Sequence, residues 1–481
     1  MAAAAGAAVA AATAGQDEDP PLLPGPPIGR RAVCSRPYFM VLMVLAHLYV
    51  FSVLGLLLFV HISADDGGPG PAEDAPGPAQ DAPAGPGPYA LSRLEGIKVG
   101  HKQKVDLVPN KIHFMKTLSL KPPVFEIPDF LNEDECKFII RLAKLKGLEK
   151  SQTLFSENQD EAMEMLSVDQ MDIFNLLDRD QDGQLQLKEV LTHTRLGNGR
   201  WMTPENIREM YTAMNADPDG NGVLSLEEFQ QVNIQDFYKY MGRKKTNKSD
   251  LVRNSQHTWL YQGEGAHPVM RAIRQRVIHL TRLPTEIVEH SEPLQVVQYD
   301  QGGHYHAHRD SGPVFPETVC SHTKLFNEEV VPFMTSCRYA TVLIYLNNVT
   351  GGGETTFPVA DNRTYEELSL IQNDIDLRDT RKHCDKGNLR VKPLQGTAVF
   401  WYNFLSDGEG WIGDLDEYSL HGGCLVTEGT KWIANNWINV DPNKRRQLMF
   451  QEVMARYAND GDEDQSEWTV DKSYSDVHVE L

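Results

Sequence analysis

The sequence predicts an α+β chain in several parts, and three observations carry that reading. A run from 38 to 60 is built largely of Leu, Val, Phe and Met and contains no Lys, Arg, Asp or Glu. Two twelve-residue acidic loops, beginning at Asp178 and Asp217, each sit between helical patterns. From 251 onward, short Val/Ile/Tyr-rich runs alternate with Gly, Pro and Asp turns, the pattern of β-strands.

At about 1.5 Å per residue the 38–60 run can cross about 30 Å of hydrocarbon, which predicts a transmembrane helix. A cleaved secretory signal fits less well, because its apolar region spans about 7–15 residues and its basic part lies near the start. Arg30, Arg31 and Arg36 precede the run while Asp65 and Asp66 follow it. Lys/Arg excess marks the cytoplasmic side, so residues 1–37 read as a disordered cytoplasmic tail and the bulk of the chain as luminal, a single-pass type II arrangement. Asn247, Asn348 and Asn362 begin N-x-S/T triplets, acceptor patterns for glycosylation that agree with that side. Beyond the span lie Cys136, Cys320, Cys337, Cys384 and Cys424, which allow at most two intrachain bridges and leave one thiol over. A net charge of −21 argues against nucleic acid as a partner, since such a surface repels phosphates.

Residues 61–90 are dominated by Pro, Gly, Ala and Asp, a linker composition that cannot bury enough apolar surface to offset ordering entropy. Folded structure resumes at 91–150, where Asn132 as N-cap and Glu135 at the third helical position open an amphipathic helix with Phe138, Ile139, Ile140, Leu142 and Leu145. In 251–445, a helix near 269–280 precedes strands near 294–299, 339–346, 397–401 and 431–440. A C-terminal helix and acidic tail occupy 446–481.

Region 151–250 holds the acidic loops. DRDQDGQLQLKE from 178 to 189 has carboxylates at positions 1, 3 and 5, glycine at the sharp turn and a glutamate to close the site, the EF-hand pattern for Ca²⁺. Its ligands are Asp178, Asp180, Asp182, the Gln184 carbonyl and Glu189. DPDGNGVLSLEE from 217 to 228 repeats it with Asp217, Asp219, Asn221, the Val223 carbonyl and Glu228. Two complete loops predict an α-helical EF-hand pair, joined through Leu185 and Leu224. Four carboxylates in the first loop against three in the second predict tighter binding at the first.

QYDQGGHYHAHRDSG, from 298 to 312, contains His308-Arg-Asp310. Alternate residues of a strand share a face, so this imidazole and carboxylate can converge on one ion while Arg309 points away. A third ligand would complete a two-His-one-carboxylate triad that leaves positions on Fe(II) open for an oxo acid and O₂, and His421, in YSLHGG, is the best candidate for it. Lys431 follows ten residues later, a cation suited to the distal carboxylate of 2-oxoglutarate. His304 and His306 have the parity of His308, so alternation alone leaves them as alternative ligands. A kinase reading of His-Arg-Asp fails for want of the downstream asparagine, a glycine-rich loop and DFG.

FEIPDFLNEDEC at the front, HRD, GGGETTFP from 351, GTAVFWYN from 396 and HGGCLVTEGTKWIANNWI from 421 together resemble the prolyl 4-hydroxylase family. The resemblance spans roughly 120–148 and 251–440. It implies a double-stranded β-helix, or jelly roll, with supporting helices. It implies Fe(II) held by His308, Asp310 and His421, 2-oxoglutarate held by Lys431, Tyr299 and Thr355, and a peptide groove lined by Tyr305 and Trp437. The implied reaction turns a peptidyl proline, O₂ and 2-oxoglutarate into hydroxyproline, succinate and CO₂, with ascorbate maintaining the iron, in the endoplasmic reticulum membrane. The EF-hand insertion, His304, His306 and Asn439 depart from the family pattern. Rival expectations are a membrane-tethered calcium sensor with an inactive oxygenase module, and an oxygenase acting on a side chain other than proline.

Overall fold

The computed structural model describes residues 90–151, 170–194, 201–233, 251–315, 319–324, 334–372 and 375–460. The chain divides into two compact units, 1–82 and 83–481, and all of these residues lie in the second. The expected membrane span at 38–60, Asn247 and the acidic tail fall outside the described residues. Among those described, no helix is long and apolar enough to cross a membrane.

Two antiparallel sheets form the frame. The larger has nine strands in the order Lys102–Val108, Lys111–Leu120, Pro123–Ile127, Ala398–Tyr402, Arg338–Tyr345, Lys431–Asn439, Leu294–Tyr299, Gln256–Leu260 and Glu149–Lys150. The smaller has five, Leu389–Val391, Thr355–Phe357, His421–Gly423, His304–His308 and Arg253–Asn254. Alternation along Arg338–Tyr345 explains how one strand serves two cores. Ala340, Val342 and Ile344 join the apolar layer beneath the helices, while Leu343 and Tyr345 join Phe357 and Val391 of the smaller sheet. The buried run of Lys431–Asn439 has the same cause.

Helices cover the outer face of the large sheet. Glu133–Lys146 opens with the expected capping box: Glu135 N–H donates to Asn132 Oδ1 and Asn132 N–H to a Glu135 carboxylate oxygen, each at 2.9 Å. The same carboxylate takes a bidentate pair from Arg276 of the helix Pro268–Thr281, tying the two helices together.

The calcium-loop insertion leaves and re-enters the large sheet at one place. Glu149 pairs with His257 and Lys150 with Gln256, so its stems are neighbouring strands. Inside it, Leu185 pairs with Leu224 as the short strand contact between the loops, and Phe174, Ile207, Met210 and Phe229 surround that contact.

Cysteine usage resolves as two bridges, Cys320–Cys337 and Cys384–Cys424, with Cys136 buried and unbridged. Burial pushes the Cys136 thiol up to about 12, which suppresses the reactive thiolate. Non-reducing peptide mapping should therefore recover those two pairs, and iodoacetamide should label Cys136 only after denaturation. Rapid labelling in the folded chain would contradict the burial.

Candidate metal and cofactor site

Strand His304–His308 pairs antiparallel with His421–Gly423, placing His308 directly opposite His421. Asp310 follows two residues after His308. Their ligand-type atoms all lie within 4.8 Å of one another, with both imidazole Nε2 atoms 3.7 Å from Asp310 Oδ1. The Nδ1 positions are committed elsewhere, His308 to the His306 carbonyl and His421 to the Ser419 carbonyl, each at 2.9 Å. A carbonyl can only accept, so Nδ1 carries the proton and each Nε2 turns a lone pair toward Asp310.

The carboxylate is held in turn. Thr341 Oγ1 donates to Asp310 Oδ2 at 2.6 Å, Asn403 Nδ2 donates to Thr341 Oγ1 at 3.0 Å, and Trp401 Nε1 donates to Asn403 Oδ1 at 3.0 Å. Burial works to raise the Asp310 pKa, but His421, His308 and Arg338 outweigh it and hold the group well below the usual carboxylate range. Burial, assisted by the neighbouring His308 and opposed by Asp310, pulls His421 down to about 4, so its ring is neutral at physiological pH. A neutral imidazole at His421 and an anionic carboxylate at Asp310 are the forms a divalent metal requires of such ligands. The residues fit a facially bound metal, and Fe(II) in particular by donor type.

A one-residue bulge decides which histidines take part. Tyr305 pairs with Gly423 and His308 with His421, three steps on one strand against two on the other. The extra residue reverses the parity that alternation predicts. Tyr305 now lies against His308, ring centroids 3.6 Å apart, whereas His304 and His306 lie together, 4.7 Å apart, and bond elsewhere. His304 Nε2 is 2.9 Å from the Leu251 carbonyl, and His306 Nδ1 accepts from Thr380 N–H at 3.2 Å. Neither joins the cluster, and the alternative ligand pair is removed.

Lys431, Tyr299 and Thr355 line the pocket that also holds the triad. Lys431 pairs with Tyr299 in register, and its ammonium lies 5.4 Å from the Tyr299 ring and 5.8 Å from that of Tyr345. Burial lowers Lys431 to about 7 and Glu354 opposes the shift. Tyr345, which motif reading missed, is fully buried with its hydroxyl 2.8 Å from Thr355 Oγ1. Only its place inside a long apolar strand marked it, and that signal reads as core.

Tyr305 and Trp437 also line the pocket, each beneath a guanidinium: Arg253 at 4.8 Å and Arg338 at 3.5 Å. Glu292 neutralises Arg338 through a bidentate pair, and the buried Trp437 Nε1 has no hydrogen-bond partner among the described residues. Arg309 turns to Tyr365 and Glu367, away from the ligand atoms, while still bordering the pocket. Trp201 of the insertion stacks on His306 at 3.7 Å and donates to Asp379 Oδ2 at 3.3 Å.

Both calcium loops close as expected from their spacing. Asp178, Asp180 and Glu189 gather within 4.8 Å, as do Asp217, Asp219 and Glu228. The turns pass through Gly183 at φ 79° and Gly222 at φ 81°, a region that favours glycine. Asp182 and Asn221 instead accept the backbone N–H groups of Gln184 and Val223. Gln184 and Val223 occupy the short paired strands. Of the glycosylation triplets, Asn348 is exposed and half-buried Asn362 accepts a bond from Asn388.

A buried two-His-one-carboxylate cluster with a lysine in the same pocket, set between antiparallel sheets, defines a 2-oxoglutarate- and Fe(II)-dependent oxygenase. The family model described as the 2OG-Fe(II) oxygenase superfamily matches residues 294–439, and an EF-hand domain pair matches 169–234. Human transmembrane prolyl 4-hydroxylase is 65% identical over 477 residues, covering 98% of this chain and 94% of its own length. The mouse protein of that name is 64% identical over 475 residues, covering 98% and 93%, and Arabidopsis thaliana prolyl 4-hydroxylase 2 is 38% identical over 190 residues, covering 40% and 54%. The chain belongs to the transmembrane prolyl 4-hydroxylase family.

Metal titration separates the histidines. His308→Ala, Asp310→Ala and His421→Ala should each abolish stoichiometric Fe(II) binding, while Thr341→Val should weaken it by roughly 10–100-fold through loss of carboxylate orientation. His304→Gln should bind iron like the wild type. Retained binding in His421→Ala, or its loss in a folded His304→Gln, would reverse the assignment.

Proposed function

We propose that the chain is a membrane-anchored, calcium-binding peptidyl-prolyl 4-hydroxylase that converts proline, O₂ and 2-oxoglutarate to hydroxyproline, succinate and CO₂. The observation that carries this is the meeting of His308, Asp310 and His421 with Lys431 in one pocket. Bound Fe(II) supplies the oxidising chemistry with O₂ and 2-oxoglutarate, and ascorbate is the reductant this reading implies.

The chain's own residues orient and exclude. His308, Asp310 and His421 would hold the Fe(II). The Lys431 ammonium pairs with the distal carboxylate of 2-oxoglutarate, assisted by Tyr299 and Thr355, in a site dry enough to strengthen that pair. Tyr305 and Trp437 line the same pocket and form the groove read for the proline-containing peptide. The two facing sheets support reading the catalytic domain, 251–445 with 91–150, as a double-stranded β-helix interrupted by the EF-hand pair at 151–250. Residues 38–60 are the span, with the basic flank of 1–37 cytoplasmic and the catalytic side in the lumen of the endoplasmic reticulum, the side on which the triplets at Asn247, Asn348 and Asn362 are acceptors for glycosylation.

Lys431 is charged below about 7 and loses its proton above it, so 2-oxoglutarate should bind more weakly as pH rises through and beyond that value. The apparent KM for 2-oxoglutarate should climb across that range in the wild type and stay flatter in Lys431→Arg. Lys431→Ala should raise it at every pH while retaining iron. Equal loss of iron in that variant would count against the role.

The insertion touches the catalytic frame where it matters. Trp201 stacks on His306, Thr380 braces both His306 and the Tyr305 carbonyl, and Ile371 packs into the core of the calcium-loop domain. Calcium loss in Glu189→Gln or Glu228→Gln should therefore lower peptide affinity or turnover, measured across a calcium titration. Unchanged affinity, turnover and thermal stability despite lost calcium would make the insertion an independent appendage.

A further inference from the structure

The hairpin Lys102–Val108 and Lys111–Leu120 carries an outward face that neither the catalytic pocket nor the calcium loops use. Its inward side chains, Val105, Leu107 and Met115, belong to the core under the helices. Outward, the register sets Lys102 opposite Lys116, Lys104 opposite Phe114 and Asp106 opposite Ile112. Ile112 is 59% exposed and Phe114 48%. Like charges directly opposite each other weaken a sheet, and exposed aromatic and β-branched side chains add nothing to the core. Lys116 reaches Glu126 only at 3.9 Å. The pattern is therefore poorly explained by fold stability alone.

Charge identifies what the face fits. The outward face carries Lys102, Lys104 and Lys116 against Asp106, with Glu126 beside Lys116, while Lys111 turns to the Asp129 carbonyl and Lys121 lies over the Tyr418 ring, in a chain whose net charge is −21. Lysines interleaved with Phe and Ile suit the boundary of an anionic bilayer, where the ammonium groups stay at the headgroups and the apolar side chains enter. A second copy fits badly, because the same positive face would meet itself. The proposed span at 38–60 also gives the chain a bilayer to meet.

We infer that the outward face of this hairpin is a docking surface for anionic lipid headgroups, laying the catalytic unit onto the membrane that anchors it. That this membrane is the one anchoring the chain rests on the proposed span at 38–60.

The full chain, carrying Cys34→Ser and a fluorophore on Ile112→Cys, is reconstituted into vesicles of phosphatidylcholine alone or with phosphatidylserine. The reference is the same probe on Leu145→Cys, a site 78% exposed on the helix Glu133–Lys146. Lipid-borne quenchers should dim the Ile112 probe severalfold more than the reference in the anionic vesicles. High salt or Lys102→Glu with Lys104→Glu should remove the difference. Equal quenching at the two sites, or quenching indifferent to those charge reversals, would overturn the inference. So would a probe shielded from aqueous iodide equally in neutral and anionic vesicles, the sign that an acidic segment of the chain covers the face, or concentration-dependent energy transfer between copies. Alkaline carbonate extraction tests the span separately: a chain released by it would refute the anchor, and quenching by added vesicles would still decide the hairpin.

Discussion

One inserted residue between Tyr305 and His308 controls the site. Without the bulge, His304, His306 and His308 would project from one face of their strand, and His421 opposite would meet the wrong partner. With it, His308 and Tyr305 turn toward the pocket while His306 turns toward Trp201 and Thr380 and His304 toward the Leu251 carbonyl. A shift of one residue exchanges the two faces of a strand, so such a feature can create a metal site and a packing surface from adjacent residues.

The cluster formed there brings an anion and two imidazoles together under heavy burial. Desolvation works to raise Asp310 and to lower His421. Around Asp310 it is outweighed by His421, His308 and Arg338, which hold the carboxyl below the usual range, while the Thr341 hydroxyl orients its far oxygen. The hydrogen-bond chain from Trp401 through Asn403 to Thr341 crosses adjacent strands of the large sheet, so the orientation of the carboxylate is inherited from sheet register rather than from local sequence. Lys431 experiences the same dryness with the opposite sign, which makes a dicarboxylate co-substrate a natural counter-ion for it.

The calcium-loop insertion is physically continuous with this arrangement. Its stems are adjacent strands, its core admits Ile371 from the oxygenase side, and its Trp201 rests on a histidine two residues before a metal-facing one. A module held at several points by a stacked ring, a buried hydrogen bond and apolar packing cannot swing freely, in contrast to a domain attached by one linker.

Much of the architecture could be read directly from residue order because it rests on local chemistry. The Asn132 cap, the calcium loops with Gly183 and Gly222, and the strands around 294–299 and 431–439 depend on near neighbours and periodicity. The three triad residues and Lys431 were legible from motif spacing. The disulfide partners, the exclusion of His304 and His306, and the supporting roles of Tyr345, Thr341, Asn403 and Trp201 were not. Each depends on which distant strand lies alongside and in what register, and a single-residue bulge changes that register without leaving a distinctive mark on composition or periodicity.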